Sequence, residues 1–578
     1  MSAVRMLLAV AFVIALVPAL IQSAQFCATY DPVADAFTMH AADHPSCNPM
    51  LSTSTIAVWG DYNDTLLSIG WDVLKLTTNN TVSDPIQARA AGFFEARLTA
   101  TRAQQLLINN YYPGGNTPVN ALILGFLVAN WNWLIAATNN QTNSTDPFWV
   151  QLSNARWQMA GFLEGYASAA DNFVNITTEW ALVLAAQGDL MDLFNMYPNG
   201  RGERGVAAAA GLPQEGGEPS SKYVPWTYHQ PSWKDMSRGT FQRYVMNRSH
   251  CSALVKVTPG ARHLFFGHST WQSYGMMMRI YKVITTPFAS LPQAANARVS
   301  FSSYPGALTS MDDFYLLQSG LTVIETSLSV FNFSLYNAVN PQLALCWQRV
   351  VVANRLATTA PEWAFYFSQL NSGTYNNQWI VLDRNLFTPG QDLPNNLLWI
   401  LEQLPGHIVA GDRTDALRYG YWPSYNVPSF TSVFDLAGYP SAIAAQGPEM
   451  LDYQTCVRAQ MFREYQTLVD SIPTMQWMMQ YNNYMMDPIS NDNPIFAIAA
   501  RGDLATAEDG GVQYFGAIDS KVSDDTLGSL GVVLAFAGPT PQQGAFSFSA
   551  LPSNATGVPA HVGQPDVYNF SFVPMTFG

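Results

Sequence analysis

The residue with the most chemistry in reach is a cysteine that opens an apolar run. Ser249-His250-Cys251-Ser252 joins a polar segment to Ser252-Ala253-Leu254-Val255-Lys256-Val257, a predicted strand that ends at Pro259-Gly260. A thiol at the first residue of a strand can face a pocket at the sheet's end and, as a thiolate, attack an ester or amide carbonyl. A small buried residue fits the same local pattern. The chain has five cysteines, Cys27, Cys47, Cys251, Cys346 and Cys456, so at least one has no partner within the chain. Cys27 and Cys47 close a short loop. Cys346 and Cys456 either pair or stay buried, which leaves Cys251 as the odd thiol.

Familiar catalytic and cofactor motifs fail on inspection. Gly267-His268-Ser269-Thr270-Trp271 begins like a nucleophile elbow, but Trp271 stands where the sharp turn needs glycine. Gly200, Gly202 and Gly205 spell G-x-G-x-x-G, yet Tyr197-Pro198-Asn199 precedes them and proline ends strands. His40 and His44 lack the glutamate of a zinc-protease motif and read as solvated loop residues. There is no P-loop and no paired-cysteine metal motif, so neither a metal nor a cofactor is expected.

The elements that must position Cys251 change character along the chain. Residues 263–268 read as the hairpin partner of the strand after Cys251, and 321–326 and 378–383 as further buried strands. Residues 271–283 and 342–356 read as helices. Strand pairs followed by helices predict stacked sheets covered by helices, an α+β plan. The half before Cys251 reads as largely helical. Within it, 87–99 and 156–169 share Ala-Gly-Phe-x-Glu, at Ala91-Gly92-Phe93 with Glu95 and Ala160-Gly161-Phe162 with Glu164, small residues that let helices approach closely. Residues 199–222 are glycine-rich with almost no bulky apolar side chain, and are predicted to be a flexible linker open to proteases.

Composition and the N-terminus set the compartment. Of 578 residues, 48% are hydrophobic and only 12% charged, half the usual share of about 25%, so disorder is not the dominant state. A net charge of −14 argues against nucleic acid or an anionic membrane as partner. Residues 1–24 read as a secretory signal: Arg5, an apolar run over 6–21, then Gln22-Ser23-Ala24 for cleavage. Residues 119–137 carry no charge, but Asn120, Asn130, Asn132 and two tryptophans predict a buried helix, not an integral membrane span. Nine glycosylation sequons, at Asn63, Asn79, Asn140, Asn143, Asn175, Asn247, Asn332, Asn554 and Asn569, then predict a glycosylated lumenal protein.

Long words of sequence carry a family resemblance. They are CSALVKVTPG from Cys251, GHSTWQSY from Gly267, FSSYPGALTSMDDFYLLQSGLTVIET from Phe301, ANRLA from Ala353, NSGTYNNQWIVLD from Asn371, LEQLPG from Leu401, GYWPSYNVPSF from Gly420 and GQPDVYNFSF from Gly563. In order, over most of the chain after Cys251, they resemble the phospholipase B-like family of lysosomal proteins. The helical half is carried mainly by AGFFEARLT and QMAGFLEGY. Ser490-Asn491-Asp492-Asn493-Pro494 lacks a cysteine pair found in some relatives, which puts one disulfide in doubt.

The resemblance implies an αββα sandwich of the N-terminal nucleophile hydrolase type. It also implies self-cleavage between His250 and Cys251, giving two non-covalently associated chains, 25–250 and 251–578. Cys251 would then be both chain terminus and nucleophile. Its α-amine, with a pKa near ~7.7–8 against ~8.5 for a thiol, would act as its base. His268 and Trp271 would line the pocket beside the thiol, and Asn426 would hold the oxyanion, with Asn371 and Asn376 as rivals. Glu325 and Thr326 end a buried strand, and Arg463 would meet a substrate carboxylate or phosphate. The implied activity is deacylation of glycerophospholipids in the lysosome or after secretion. The alternatives are an amidase acting on N-acyl amides and a lumenal lipid-binding protein that only cleaves itself. A homodimer stays open.

Overall fold

The computed structural model describes residues 24–48, 55–169, 175–197, 233–248, 251–293, 296–551 and 558–577. All of the expected signal segment except Ala24, the stretch 199–222, His250 and Asn554 lie outside the described residues.

Two sheets form the body of the protein. The larger has eleven strands, in the order His407–Asp412, Leu398–Leu404, Asn377–Asp383, Leu321–Ser327, Phe314–Leu317, Arg298–Ser303, Ile280–Thr285, Asp72–Thr78, Thr55–Asn63, Ala24–Asp31 and Ala36–Ala41. The smaller has six: Tyr421–Ser424, Ser252–Val257, Leu264–Ser273, Phe515–Asp524, Val532–Ala537 and Val573–Thr576. Ala253, Val255 and Phe266 of the smaller sheet share one apolar cluster with Phe314, Leu316, Ile324 and Ile380 of the larger, so the sheets stack face to face. Val323, Trp379 and Val381 on the larger sheet's other face pack on Ala353 of helix Cys346–Leu356 and on Trp363 and Phe367 of helix Ala360–Ser368. Helix Ile472–Met479 covers the smaller sheet: a Cβ on Gly267 would lie 2.7 Å from the Met475 side chain. The order is helix, sheet, sheet, helix, as the α+β expectation required.

Two expectations need correction. The half before Cys251 is not largely helical from its start, because four of its strands extend the larger sheet. The junction is the parallel pairing of 72–77 with 280–285. Helices Asp84–Asn110, Ala121–Asn140 and Pro147–Ala167 come next in the chain. Residues 271–283 are not a helix. The strand runs on to Ser273, a 3-10 turn spans Tyr274–Met276, and strand Ile280–Thr285 comes after it. Nearly every residue of that stretch is buried, and a run buried on both faces has no period to separate strand from helix.

Other expectations hold at the level of contacts. A Cβ on Gly92 would sit 1.9 Å from the Gln158 carbonyl oxygen, and one on Gly161 1.9 Å from that of Arg89, so the shared motif is a reciprocal helix crossing. Cys27 and Cys47 form a disulfide, whereas Cys251, Cys346 and Cys456 are buried free thiols. Ala121–Asn140 is long and apolar enough to cross a membrane, with a mean hydropathy of 1.6. Only 39% of that apolar stretch is buried, and its Asn130 donates to the Pro341 and Leu343 carbonyls at 2.9 and 2.8 Å. His44 is an exposed loop residue as expected, but His40 is not: it lies half-buried on strand Ala36–Ala41, meets Thr29 and stacks on His44.

The sequons divide by environment. Asn140, Asn143, Asn175, Asn247 and Asn569 are exposed, and Asn63 is half-buried. Asn79 and Asn332 spend their Nδ2 on the Ile56 and Leu436 carbonyls, at 2.7 and 3.2 Å. That nitrogen is the glycan acceptor. Peptide mapping is expected to find glycans on the exposed set and none on Asn79 or Asn332. A glycan on either would contradict the local geometry.

Candidate active site

Cys251 lies immediately before strand Ser252–Val257 and is 1% exposed. Its φ is +93°, a region in which a side chain with a Cβ is strained. Arg458, on helix Val457–Tyr465, holds the start of that strand in place. Its guanidinium donates to the Cys251 carbonyl at 2.8 Å, the Ser252 hydroxyl at 3.2 Å, the Tyr425 carbonyl at 2.8 Å and Asn426 Oδ1 at 2.7 Å. It also lies 4.4 Å from the Trp271 ring centroid. Burial lowers its pKa to about 10, so it stays cationic at neutral pH. Asn426 has a φ of +69° and donates from Nδ2 to the Ser327 carbonyl at 2.7 Å.

The sulfur shares its surroundings with two titratable groups. Cys251 Sγ, a ring nitrogen of His268 and a carboxyl oxygen of Glu325 lie within 4.8 Å of one another. His268 Nε2 is 2.9 Å from the Glu325 backbone carbonyl. A carbonyl only accepts, so Nε2 carries the proton and Nδ1 is the basic nitrogen. Tyr375 donates its hydroxyl to Glu325 Oε1 at 2.9 Å. Burial, then the Asp313 carboxylate, pushes the Glu325 carboxyl well above its ordinary range. Burial, then Lys521, pushes His268 well below its own. Burial above all raises the Cys251 thiol, opposed by the Trp271 backbone N–H. Thiol, imidazole and carboxyl are therefore all pushed toward their neutral forms. These are donor types that zinc accepts, but Nε2 and Oε1 already have protein partners.

A ring of four buried charges underlies this group. Lys521 Nζ is 2.7 Å from Asp312 and 2.6 Å from Asp519, and Arg279 is 2.5 Å from Asp312 and 2.8 Å from Asp519. All four side chains are fully buried. Burial alone would raise Asp312, but Arg279 and Lys521 outweigh it and hold its carboxyl well below the ordinary range. Thr270 donates to Asp312 at 3.0 Å and accepts from Lys521, with its oxygen 3.4 Å from His268 Nδ1. The ring thus anchors the strand position beside the thiol, imidazole and carboxyl.

A cleft of about 820 Å³ lies beside this centre, and Cys251, His268, Glu325 and Asn426 are not among its described lining residues. It is lined by Ser327 and Tyr375, whose partners are Asn426 and Glu325. Its volume falls in the range of about 300–1,000 Å³ that small-molecule sites occupy.

Residues 58–575 match the family profile described as Phospholipase B. The chain belongs to the phospholipase B family. It is 35% identical to Phospholipase B-like 1 of Homo sapiens, over 89% of this chain and 86% of that one. It is 35% identical to Phospholipase-B 81 of Drysdalia coronoides, over 89% and 88%. It is 32% identical to Phospholipase B-like protein B of Dictyostelium discoideum, over 90% and 86%. The activity class that goes with membership is hydrolysis of ester bonds.

In this phospholipase B family member the expected site residues separate into three groups. Cys251, His268, Glu325 and Asn426 come together. Trp271 contributes its backbone N–H to the sulfur, while its indole is core and donates to the Ile498 carbonyl at 3.0 Å. Thr326 bonds to Ser424 at 2.6 Å, between the sheets. The others fall outside. Asn371 shapes a turn, with Nδ2 on the Leu404 carbonyl and Oδ1 accepting from Gly373. Asn376 borders the cleft, with its Nδ2 on the Gly373 carbonyl as that of Asn426 is on the Ser327 carbonyl, and it lacks Asn426's link through Arg458 to the Cys251 carbonyl. Arg463 is exposed and bonds to the Gln454 carbonyl. Five residues of helix separate it from Arg458, which turns it about 140° away from the site. Sequence reading missed Arg458, Tyr375, Arg279, Lys521, Asp312 and Asp519. One signal was available for Lys521, as a lysine two residues after Asp519 in the strand run Phe515–Asp524.

Proposed function

We propose that the chain is an inactive precursor that cuts itself between His250 and Cys251 and then deacylates glycerophospholipids, in the lysosome or after secretion. The observation that carries this reading is Cys251 itself. It is a buried thiol on a strained backbone at a strand start, with an imidazole and a carboxyl beside it and a cleft one residue layer away, at Tyr375 and Ser327. Stacked sheets between helices are what an N-terminal nucleophile hydrolase needs.

In self-cleavage the sulfur attacks the His250 carbonyl carbon and the C–N bond to Cys251 breaks. The nitrogen keeps the thiol's proton, and water then hydrolyses the thioester. The φ of +93° stores roughly 1–3 kcal/mol, and the cut releases it. In turnover the same sulfur attacks the lipid's ester carbonyl. The new α-amine takes the thiol proton and passes it to the leaving alkoxide, and water frees the fatty acid from the thioester. The first half-chain stays bound through its strands: 72–77 pair with 280–285, and Glu95 meets Lys282 at 2.5 Å in the interior.

Asn426, positioned by Arg458, is the oxyanion donor. Asn426→Ala is expected to lose roughly 10²–10³ in turnover while the two-chain pattern persists. Full activity would transfer the role elsewhere. A panel of phospholipids and N-acyl amides, assayed with the wild-type protein and Cys251→Ser, tests the substrate class. Ester turnover lost in the variant supports deacylation. Turnover of amides alone, or of nothing, would overturn it.

A further inference from the structure

The cleft holds two arginines that no acid neutralises. Arg243 and Arg248 both line it, and among the described residues neither has a carboxylate partner. In a chain of net charge −14 with 27 basic residues, most buried guanidiniums elsewhere are paired or fully bonded to carbonyls. Asp192 is the one carboxylate among the described lining residues. It accepts from the Tyr336 hydroxyl at 2.6 Å and the Asn376 N–H at 3.1 Å, and burial raises its pKa. The cleft wall therefore offers two guanidiniums against one carboxylate, and that carboxylate already accepts from Tyr336 and Asn376, in a surround of polar side chains such as Asn116 and Ser329.

The Arg248 guanidinium is built into place, and the exposed Arg243 is carried by a fixed backbone. Both are carried by helix Arg238–Met246 and the residues just after it, and the helix is pinned at three points. Phe241 stacks on Phe331 with centroids 6.2 Å apart. Gly239 meets Gly510 so closely that a Cβ on Gly510 would lie 2.3 Å from the Gly239 carbonyl oxygen. Ser237 caps the first turn at Thr240. Arg248 lies 3.7 Å over the Tyr244 ring, donates from Nε to Asn195 Oδ1 at 3.0 Å and from one terminal nitrogen to the Tyr244 carbonyl at 3.3 Å. Among the described residues its other terminal nitrogen has no hydrogen-bond partner. None of these contacts involves the bond between His250 and Cys251, so the pair outlasts the cut.

We infer that Arg243 and Arg248 form the subsite for the phosphate group of the substrate, holding it while the acyl ester reaches Cys251. The inference rests on the reading of this cleft as the acyl-lipid site. Two planar guanidiniums suit a phosphate because each presents paired N–H donors to its oxygens. They act in binding, not in bond-breaking, so they determine which esters the enzyme prefers.

Glycerophosphocholine carries the phosphodiester but no acyl ester, so its binding to the mature two-chain protein can be measured without turnover. Calorimetry with it and with inorganic phosphate, on wild type, Arg243→Gln and the Arg243→Gln/Arg248→Gln double variant, tests the subsite. Arg243 is exposed, so its single substitution spares the fold. Glycerophosphocholine affinity is expected to fall roughly ten- to a hundredfold in the double variant. KM for a short-chain soluble phospholipid should rise with kcat kept, and a short-chain monoacylglycerol should be unaffected. Unchanged glycerophosphocholine affinity in the double variant overturns the subsite. Binding of inorganic phosphate without glycerophosphocholine overturns its assignment to the lipid. An equal loss on the neutral ester shows general damage and also overturns it. A protein inactive on every ester that still binds glycerophosphocholine through the pair sinks the deacylase reading and leaves the subsite standing.

Discussion

Cys251→Ala is expected to give a single uncut chain without hydrolase activity, because one sulfur serves both steps. The variant should still fold. Ala253, Val255 and Phe266 lie in the apolar layer beside position 251, and removing one sulfur from a buried site costs far less than the whole stability. Cys251→Ser separates the two steps. A hydroxyl next to the strained peptide can still attack it, so slow processing survives. Turnover should fall further than processing, since a hydroxyl is much harder to ionise than a thiol. Electrophoresis of secreted protein alongside an esterase assay reads both. A processed Cys251→Ala protein with full activity would be fatal to the mechanism.

Asp312→Ala carries the largest expected loss of stability. It leaves Arg279 and Lys521 buried with Asp519 as their only carboxylate, and it removes the acceptor of Thr270. Breaking a buried ion pair from one side costs about 3–5 kcal/mol, a large part of a typical net stability of about 5–15 kcal/mol. Secreted yield and melting temperature should both drop sharply. Asp312→Asn keeps a hydrogen-bonding side chain and should lose less. An unchanged melting temperature in Asp312→Ala would mean that the charge ring contributes nothing to the fold.

How much was legible in the sequence depended on how local its cause was. Strand Ser252–Val257, its partner and the strand at 321–327 were readable because β-branched and aromatic runs bounded by turn residues report strands directly. Cys251, His268, Glu325 and Asn426 were nameable because they stand in long motif words. The charge ring was not, because only Asp519 and Lys521 share a strand, Phe515–Asp524, while Arg279 and Asp312 come from distant segments and join them only after the sheets stack. Arg458 was missed for a subtler reason. It shares a helix with Arg463, and only the packing of that helix decides which arginine faces Cys251. The four N-terminal strands were obscured by the long helices after them. Their place in the sheet depends on a parallel partner some 200 residues later, which no local period reports.

The central claim is that the bond before Cys251 is the one that breaks, and terminal sequencing of the larger chain in the mature protein tests it most directly. The expected sequence begins Cys-Ser-Ala-Leu, with the smaller chain remaining bound until denaturant is added. A larger chain that begins anywhere else, or a fully active protein that remains one chain, would contradict it.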